Sequence, residues 1–282
     1  MEYVLLIIGF VLLIKGADFF VDGASSIAGK LKVPSLIIGL TVVSLGTSMP
    51  EAAVSISASL GGDNAISLGN VIGSNMFNLL MVVGVSALIF PVVTDKDMLK
   101  RDMPVNIGIT AALCVMLLDG ELSRIDSVIL LVLFAAYMFI LVRSALRNRG
   151  NDEQTKIMSW VKSIIFVVLG LAAIIGGGNL VVENAKTIAI NLGMGETLIG
   201  LTVVAIGTSL PELVTAITSL VKGHGSLSLG NIIGANLFNL VLVSGAAITI
   251  NPFDVPVSGL IGGVNSSLVI DIPVMLVVML IM

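Results

Sequence analysis

Apolar residues along this chain gather into stretches too long and too unbroken to be one face of a surface helix. A membrane-spanning helix needs about 20 mostly apolar residues. Stretches that qualify, or nearly do, lie near 3–28, 36–60, 66–90, 103–118, 125–146, 160–182, 197–221, 227–249 and 268–282. The polar interruptions between them are short. The longest, Arg147-Asn148-Arg149-Gly150-Asn151-Asp152-Glu153-Gln154, divides the spans into two groups. The ninth stretch is shorter than a span, and the sequence stops inside it at Met282. There Asp271-Ile272-Pro273-Val274 echoes Asp102-Met103-Pro104-Val105, which opens the fourth span and is followed by a fifth. Ten spans are therefore expected of the natural protein, and about nine here.

The two groups repeat one another at a constant offset of 161 residues, which relates Glu51 to Glu212, Gly69 to Gly230, Asn78 to Asn239 and Pro91 to Pro252. Residues 39–51 read GLTVVSLGTSMPE and residues 200–212 read GLTVVAIGTSLPE. Upstream the match thins, but Gly16, Ile27 and Ala28 still meet Gly177, Ile188 and Ala189. This is an internal duplication. An odd number of spans, five, separates equivalent points, so the second copy crosses the bilayer upside down, as in secondary transporters built from inverted repeats. The predicted fold is an all-α membrane protein with an inverted-topology repeat of five transmembrane helices each. Its first repeat is 1–146, the linker 147–159, and the second, incomplete repeat 160–282.

Composition agrees: 56% of the 282 residues are hydrophobic and 11% charged, with a mean hydropathy of +1.12, against roughly 25% charged in soluble domains. The formal net charge of −4 matters less than its distribution. With the N-terminus outside, the inner loops carry Lys30, Lys32, Lys96, Lys100, Arg101, Arg143, Arg147, Arg149, Lys156, Lys162 and Lys222, and the outer loops only Arg124 and Lys186. The positive-inside rule thus places the 143–162 linker in the cytoplasm of a multi-pass cell-membrane protein, with Trp160 as an interfacial anchor. Glu2 in place of a basic start makes the first stretch a retained span, not a signal peptide. No basic stripe supports nucleic-acid binding. The lone Cys114 excludes an intrachain disulfide or a cysteine-based metal site.

The doubled motif places a proline and a glutamate inside apolar spans. Pro50 has no N–H for the Gly46 carbonyl and crowds it, so the helix is expected to kink or unwind around residues 44–47 and release carbonyl oxygens. Freed carbonyls at membrane depth must find protein, water or an ion. Thr47 and Ser48 lie one turn from Glu51 on one face, and Thr208, Ser209 and Glu212 repeat the set. The third and eighth spans add GNVIGSNMFN (69–78) and GNIIGANLFN (230–239). Asn70, Ser74 and Asn78 form a polar stripe, repeated by Asn231 and Asn239 and interrupted at Ala235. Gly69/Gly73 and Gly230/Gly234 are small-xxx-small pairs suited to close helix packing. Hard oxygens without His or Cys suit Ca²⁺, which takes roughly 6–8 oxygen ligands, and Na⁺. Zinc or copper would want His or Cys, and the only His is His224, in a short loop. Two glutamates balance one Ca²⁺ or two Na⁺.

Plainer readings exist for each feature. No basic residue lies in the core of these four spans to pair with Glu51 or Glu212, which favours function for that pair. The glycine pairs read as packing devices. Asn78 and Asn239 are as readily interhelical hydrogen-bonding residues as ligands. Lys15 and Asp18, one turn apart, read as self-paired or snorkelling, and His224 as a solvated loop residue.

GTS-x-PE twice, each followed by GN-x-x-G-[SA]-N, resembles the sodium/calcium exchanger family of the cation/calcium antiporter superfamily, in its bacterial and archaeal branch. The resemblance covers almost the whole chain and is strongest over 39–91 and 200–252. It implies ten helices in two inverted halves, four central ion sites between the second, third, seventh and eighth helices, and long first and sixth helices that slide across that core. It also implies acidic ligands at Glu51 and Glu212, hydroxyl ligands at Thr47, Ser48, Thr208, Ser209 and Ser74, side-chain ligands at Asn78 and Asn239, and carbonyl ligands at Ser44 and Ala205. Ala235 stands where the archaeal pattern has serine, and Asn239 where it has aspartate. Asn239 argues against a potassium site.

The expected function is secondary antiport of Ca²⁺ against Na⁺ by alternating access. No cofactor, enzymatic activity or obligate protein partner is implied beyond the lipid bilayer. H⁺/Ca²⁺ exchange is the nearest alternative and a cation channel a more distant one. An intramembrane protease has no H-E-x-x-H motif to rest on.

Overall fold

The structure, a computed structural model, describes residues 1–90, 96–147, 157–194, 203, 205–254, 260–261, 264–265 and 270–281. Its helices follow the apolar stretches closely. They are α1 (Glu2–Leu31), the bent pair α2 (Ser35–Thr47) and α3 (Met49–Gly61), α4 (Asn64–Phe77, continuing through Asn78–Val82 and Val83–Ile89), α5 (Met98–Asp119) and α6 (Arg124–Arg147). After the linker come α7 (Trp160–Asn191), the short α8 (Ala205–Thr208) with α9 (Leu210–Val221), α10 (Gly225–Ile250) and α11 (Ile272–Ile281). Among the described residues six helices are long and apolar enough to cross a bilayer, and the bent pair α2–α3 makes seven. With α8–α9 and α11, these match the nine expected stretches one for one. Two small ladders are the only strands among the described residues: β1 (Glu121–Leu122) pairs antiparallel with β2 (Phe253–Asp254), and β3 (Leu260–Ile261) with β4 (Val264–Asn265).

Residues 148–156 of the linker, and most of the 200–204 stretch that opens the second motif, lie outside the described residues. Beyond the linker, Ser159 caps α7 by accepting the Lys162 N–H at 3.3 Å. Trp160, expected at the interface, is 47% exposed, with the Lys30 ammonium 5.1 Å from its ring centroid. The end of α1 and the start of α7 therefore share one side of the molecule.

α1 and α7 run antiparallel along a seam of small residues. A Cβ on Gly9 would lie 3.0 Å from the Gly177 carbonyl oxygen, one on Gly16 2.8 Å from that of Gly170, and one on Gly23 2.8 Å from that of Ser163. No Cβ fits at such distances, so glycine is what lets the two backbones touch. Ser26 and Ser163 share a hydroxyl hydrogen bond of 2.9 Å at one end. Gly9 and Gly16 are themselves the 161-residue equivalents of Gly170 and Gly177, so the seam is self-complementary about the pseudo-twofold axis relating the repeats. Lys222, at the end of α9, ties this ribbon to the core. Its ammonium donates to the Asp18 carbonyl and to the Asp22 carboxylate, both at 2.7 Å, and lies 3.3 Å from the Asp18 carboxylate. Asp18 also pairs with Lys15 at 3.6 Å, as its spacing predicts.

α10 is the axis of the molecule. Of its apolar stretch 83% is buried, against 22% for α6 at the lipid-facing periphery. It crosses α2 at the glycine contact Gly39–Gly230, where a Cβ on Gly39 would overlap the Leu227 carbonyl oxygen and come within 2.9 Å of the Gly230 Cα. A Cβ on Gly230 would overlap the Leu36 carbonyl oxygen, and one on Gly234 would fall 2.7 Å from the Ser44 Cβ. Gly230 and Gly234 are thus the packing devices their spacing suggests. Among the described residues Gly69 and Gly73 meet nothing within 4 Å; Gly200, the equivalent of Gly39, lies outside the described residues.

Candidate functional site

Each GTS-x-PE segment forms a helix break at the centre of the fold. The first kinks as expected, just after 44–47, but does not unwind there, because Ser44–Thr47 is a complete helical turn. The irregularity is divided between a π turn at Gly39–Val43 and a break at Ser48 (φ −80°, ψ 4°), across which α2 and α3 bend by 48°. Pro50 falls in the first turn of α3, where a helix makes no use of the missing N–H. That placement moves the break upstream of the proline ring. The Ser44 carbonyl accepts the Ser48 N–H at 3.0 Å and the Thr47 hydroxyl at 3.4 Å. Ser209 (φ −95°, ψ 6°) repeats the break between α8 and α9, with Pro211 again in the first turn. Ala205 opens α8.

The two breaks are cross-linked. The Ser48 hydroxyl donates to Glu212 Oε1 at 3.4 Å, and the Ser209 hydroxyl donates to Glu51 Oε1 at 3.1 Å. Each serine thus serves the glutamate of the other repeat. Both glutamates and Ser209 have no exposed surface, and Ser48 has 2%. Each glutamate sits in the first turn of its helix, α3 or α9, where the positive end of the helix dipole favours a carboxylate by about 0.3–1 kcal/mol. Removing a carboxylate from water costs on the order of several kcal/mol. Dipole and serine therefore do not offset the burial of two like charges side by side, and among the described residues no cation forms an ion pair with either.

α4 and α10 close the site from the sides, and both carry a π turn there, at Asn78–Val82 and Phe238–Val243. The extra residue in such a turn re-aims a side chain, and π turns gather at functional sites. Asn78 and Asn239 open or adjoin these turns and are wholly buried. Their amide nitrogens donate across the pseudo-twofold, from Asn78 to Asn236 Oδ1 at 3.1 Å and from Asn239 to Asn75 Oδ1 at 3.2 Å. Asn75 donates in turn to the Asn236 carbonyl at 3.2 Å. The Thr47 hydroxyl donates to Asn231 Oδ1 at 3.0 Å, and Asn70 to the Glu51 carbonyl at 3.0 Å. Thr47, Ser44, Ser74 and Thr208 are all buried.

Seven buried side-chain oxygens have no hydrogen-bond partner among the described residues: Ser86 Oγ, Asn106 Oδ1, Thr215 Oγ1 and, within the repeated motifs, Glu51 Oε2, Glu212 Oε2, Asn78 Oδ1 and Asn239 Oδ1. The last four form two symmetry-related pairs, Glu51 with Glu212 and Asn78 with Asn239, each with one member from each repeat. Buried polar atoms are rarely left unpaired, and four oxygens on four neighbouring helices form a donor set for a hard cation. The unpaired amide nitrogens of Asn231 and Asn236 do not belong to it, because an amide N–H₂ does not ligate a cation.

The polar stripe Asn70–Ser74–Asn78 leaves out Asn75 and Asn236, the residues that join α4 to α10. Their signal is nonetheless present in the sequence: they keep the 161-residue offset and lie one turn before Asn78 and Asn239. Thr215 is a further candidate that the motifs do not reveal. It is fully buried with an unpaired Oγ1, one turn beyond Glu212. Its equivalent is Val54, so repeat symmetry hides it.

Comparison with known proteins identifies the family. The sodium/calcium exchanger protein family matches residues 1–143 and 162–282. The chain is 39% identical over 261 residues to inner membrane protein YrbG of Escherichia coli, covering 89% of this chain and 80% of that one. It is 36% identical, over an alignment 322 positions long, to sodium/calcium exchanger MaX1 of Methanosarcina acetivorans, covering 100% of this chain and 90% of that one. It superposes on the solved sodium-calcium exchanger NCX_Mj with a TM-score of 0.85 at 30% identity, over 99% of this chain and 88% of that one. The chain therefore belongs to the sodium/calcium exchanger family and is a multi-pass membrane protein of the cation/Ca²⁺ antiporter class, built as an all-helical inverted repeat.

Proposed function

We propose that the chain exchanges Ca²⁺ for Na⁺ at one central site between its two repeats. The observation that carries this reading is the reciprocal Ser48–Glu212 and Ser209–Glu51 bonding around the unpaired oxygens of Glu51, Glu212, Asn78 and Asn239. Glu51 and Glu212 are the charged ligands. Thr47, Ser48, Ser74, Thr208 and Ser209 supply hydroxyls, Asn78 and Asn239 amide oxygens, and Ser44 and Ala205 backbone carbonyls. Two carboxylates are neutralised equally by one Ca²⁺ or by two Na⁺, whereas the site without either load holds two uncompensated buried charges. That difference disfavours return of the unloaded site, which is what couples the two ions. The repeats are 1–146 and 160–282, and the N-terminus lies outside with the linker in the cytoplasm, a reading supported by the basic-residue distribution.

A carboxyl group also accepts a proton, which makes H⁺ the rival coupling ion. In proteoliposomes, an outward Na⁺ gradient is expected to drive ⁴⁵Ca²⁺ uptake, and a pH gradient of equal size without Na⁺ is expected to drive little. Uptake that follows the pH gradient and ignores Na⁺ would reassign the protein to H⁺/Ca²⁺ exchange.

A further inference from the structure

The ribbon of α1 and α7 does not lie symmetrically over the core. On α9, Leu210 and Val214 pack against the apolar cluster of α1 that includes Leu13, Ala17 and Phe20. Their equivalents on α3, at the 161-residue offset, are Met49 and Ala53, and both are exposed. α1 thus lies along α9, whereas among the described residues α7 makes no comparable contact with α3. The end of the core from which the linker departs is covered, and the opposite end is not.

Lys222 fastens the covered end. α9 stops directly before it, and the left-handed Gly223 (φ 80°) follows, so the ammonium reaches out from a fixed backbone. An ammonium carries three protons, and three oxygens of α1 lie within 3.3 Å of it: the Asp18 carbonyl, the Asp18 carboxylate and the Asp22 carboxylate. The side chains of Lys222, Asp18 and Asp22 are 23%, 36% and 45% exposed. A cavity of about 520 Å³ lined by Asp22, Ser25, Lys162, Phe166, Lys222 and His224 opens beside them. Water can therefore take over each charge when the pair parts, without the penalty that a buried pair would leave. The opposite end has no such fastening. At the offset, Lys222 becomes Gly61, Asp18 becomes Asn179 and Asp22 becomes Glu183, so the cation has no counterpart.

We propose that Lys222, Asp18 and Asp22 form a one-sided latch that holds the ribbon over the linker end of the core. The inference rests on the exchange reading: a site loaded from two sides is covered at one end at a time, and inverted repeats make the mirror arrangement an available second state. To reach that state the ribbon leaves α9 and the latch parts. Nothing equivalent forms at the other end, so the latch biases the protein toward the state closed at the linker end. An ion pair this exposed shifts a two-state equilibrium by up to about five-fold.

The test is the distance between paired spin labels in the full chain in nanodiscs, on a Cys114→Ala background. One pair is Leu31→Cys with Val221→Cys at the linker end. The other is its equivalent at the 161-residue offset, Leu192→Cys with Leu60→Cys, and all four positions are exposed. The otherwise unchanged chain is expected to be mostly short at the linker end and long at the other, with a minor reversed population. Lys222→Gln should raise the reversed population about five-fold. Asp18→Asn/Asp22→Asn should do the same, and Lys222→Arg should keep the original distribution. Lys32→Gln, exposed at the same end, is the charge control and should leave it unchanged. A Lys222→Gln protein that melts lower with unaltered distances would make the pair a structural staple and overturn the latch, while two populations in the unchanged chain would leave the exchange reading standing. An equal shift in Lys32→Gln would reduce the effect to surface charge and also overturn it. A single distance at each end in Ca²⁺, in Na⁺ and without either would overturn the exchange reading and the latch with it. Should Lys222→Gln fail to fold, Asp22→Asn replaces it, with the same expected and contrary results.

Discussion

Replacing either Glu51 or Glu212 by glutamine is expected to reduce Na⁺-gradient-driven ⁴⁵Ca²⁺ uptake to the background of protein-free vesicles. The size of the effect follows from burial. Both side chains have no exposed surface, and removing one partner of a buried charge interaction costs about 3–5 kcal/mol. At 1.4 kcal/mol per tenfold that is a loss of roughly 10²–10⁴ in Ca²⁺ affinity. Glutamine keeps an oxygen for the serine of the opposite repeat, which donates at 3.1 Å to Glu51 and 3.4 Å to Glu212, so the folded state should survive. A cation-free variant should melt no lower than the cation-free wild type, because one of two adjacent like charges is gone. Because the site is shared by both repeats, the two variants should fail to similar degrees. Wild-type uptake in either would show that the glutamates are not joint ligands.

Gly39→Ala is expected to destabilise the protein although alanine is the better helix former. In an open helix position the change from glycine to alanine gains about 1 kcal/mol. At Gly39 the new Cβ would overlap the Leu227 carbonyl oxygen and press on the Gly230 Cα at 2.9 Å. Neither neighbour is a side chain that can turn aside, so α2 and α10 must separate. Overpacking costs typically about 1–3 kcal/mol. It also displaces the helix that carries Thr47 and the break at Ser48, so uptake should fall with stability. Gly39→Leu should abolish monodisperse protein altogether. Gly108→Ala is the control: at that exposed position in α5 a Cβ would meet no atom of the described residues within 4 Å, and the melting temperature should hold or rise. A Gly39→Ala protein as stable and active as Gly108→Ala would contradict the close crossing of α2 and α10.

Much of this architecture is legible in the sequence for one reason: the chain states its site twice. The 161-residue offset relates Glu51 to Glu212 and Ser48 to Ser209 before any coordinate is known, and inversion of the repeat turns equivalent residues toward a shared axis. What the offset does not give is the partner. That Ser48 serves Glu212 rather than Glu51, three residues away on its own helix, depends on where the two breaks meet. The break itself lies a few residues from where Pro50 alone would put it, because proline constrains only the turn before it and a π turn absorbs part of the strain upstream. Gly230 and Gly234 are recognisable as packing residues from their spacing, but their neighbours, Gly39 and Ser44 of the opposite repeat, lie far away in sequence. Thr215 is hidden for the opposite reason, since its equivalent is Val54 and symmetry gives no cue. Asp102 shows the same limit outside the site. Its echo at Asp271 is visible and Arg101 is its neighbour in sequence, but its partner Tyr137 comes from the meeting of α5 with α6.

Under the proposed mechanism one site, bounded by Glu51 and Glu212, takes Ca²⁺ or Na⁺ but not both loads together. The most direct test is ion density in crystals of the protein equilibrated in Ca²⁺ at low Na⁺ and then in high Na⁺. A Ca²⁺ peak is expected within ligand distance of both carboxylates in the first state, lost and replaced by weaker Na⁺ density around the same oxygens in the second. Density away from the two glutamates, or a Ca²⁺ peak that high Na⁺ leaves in place, would contradict the account.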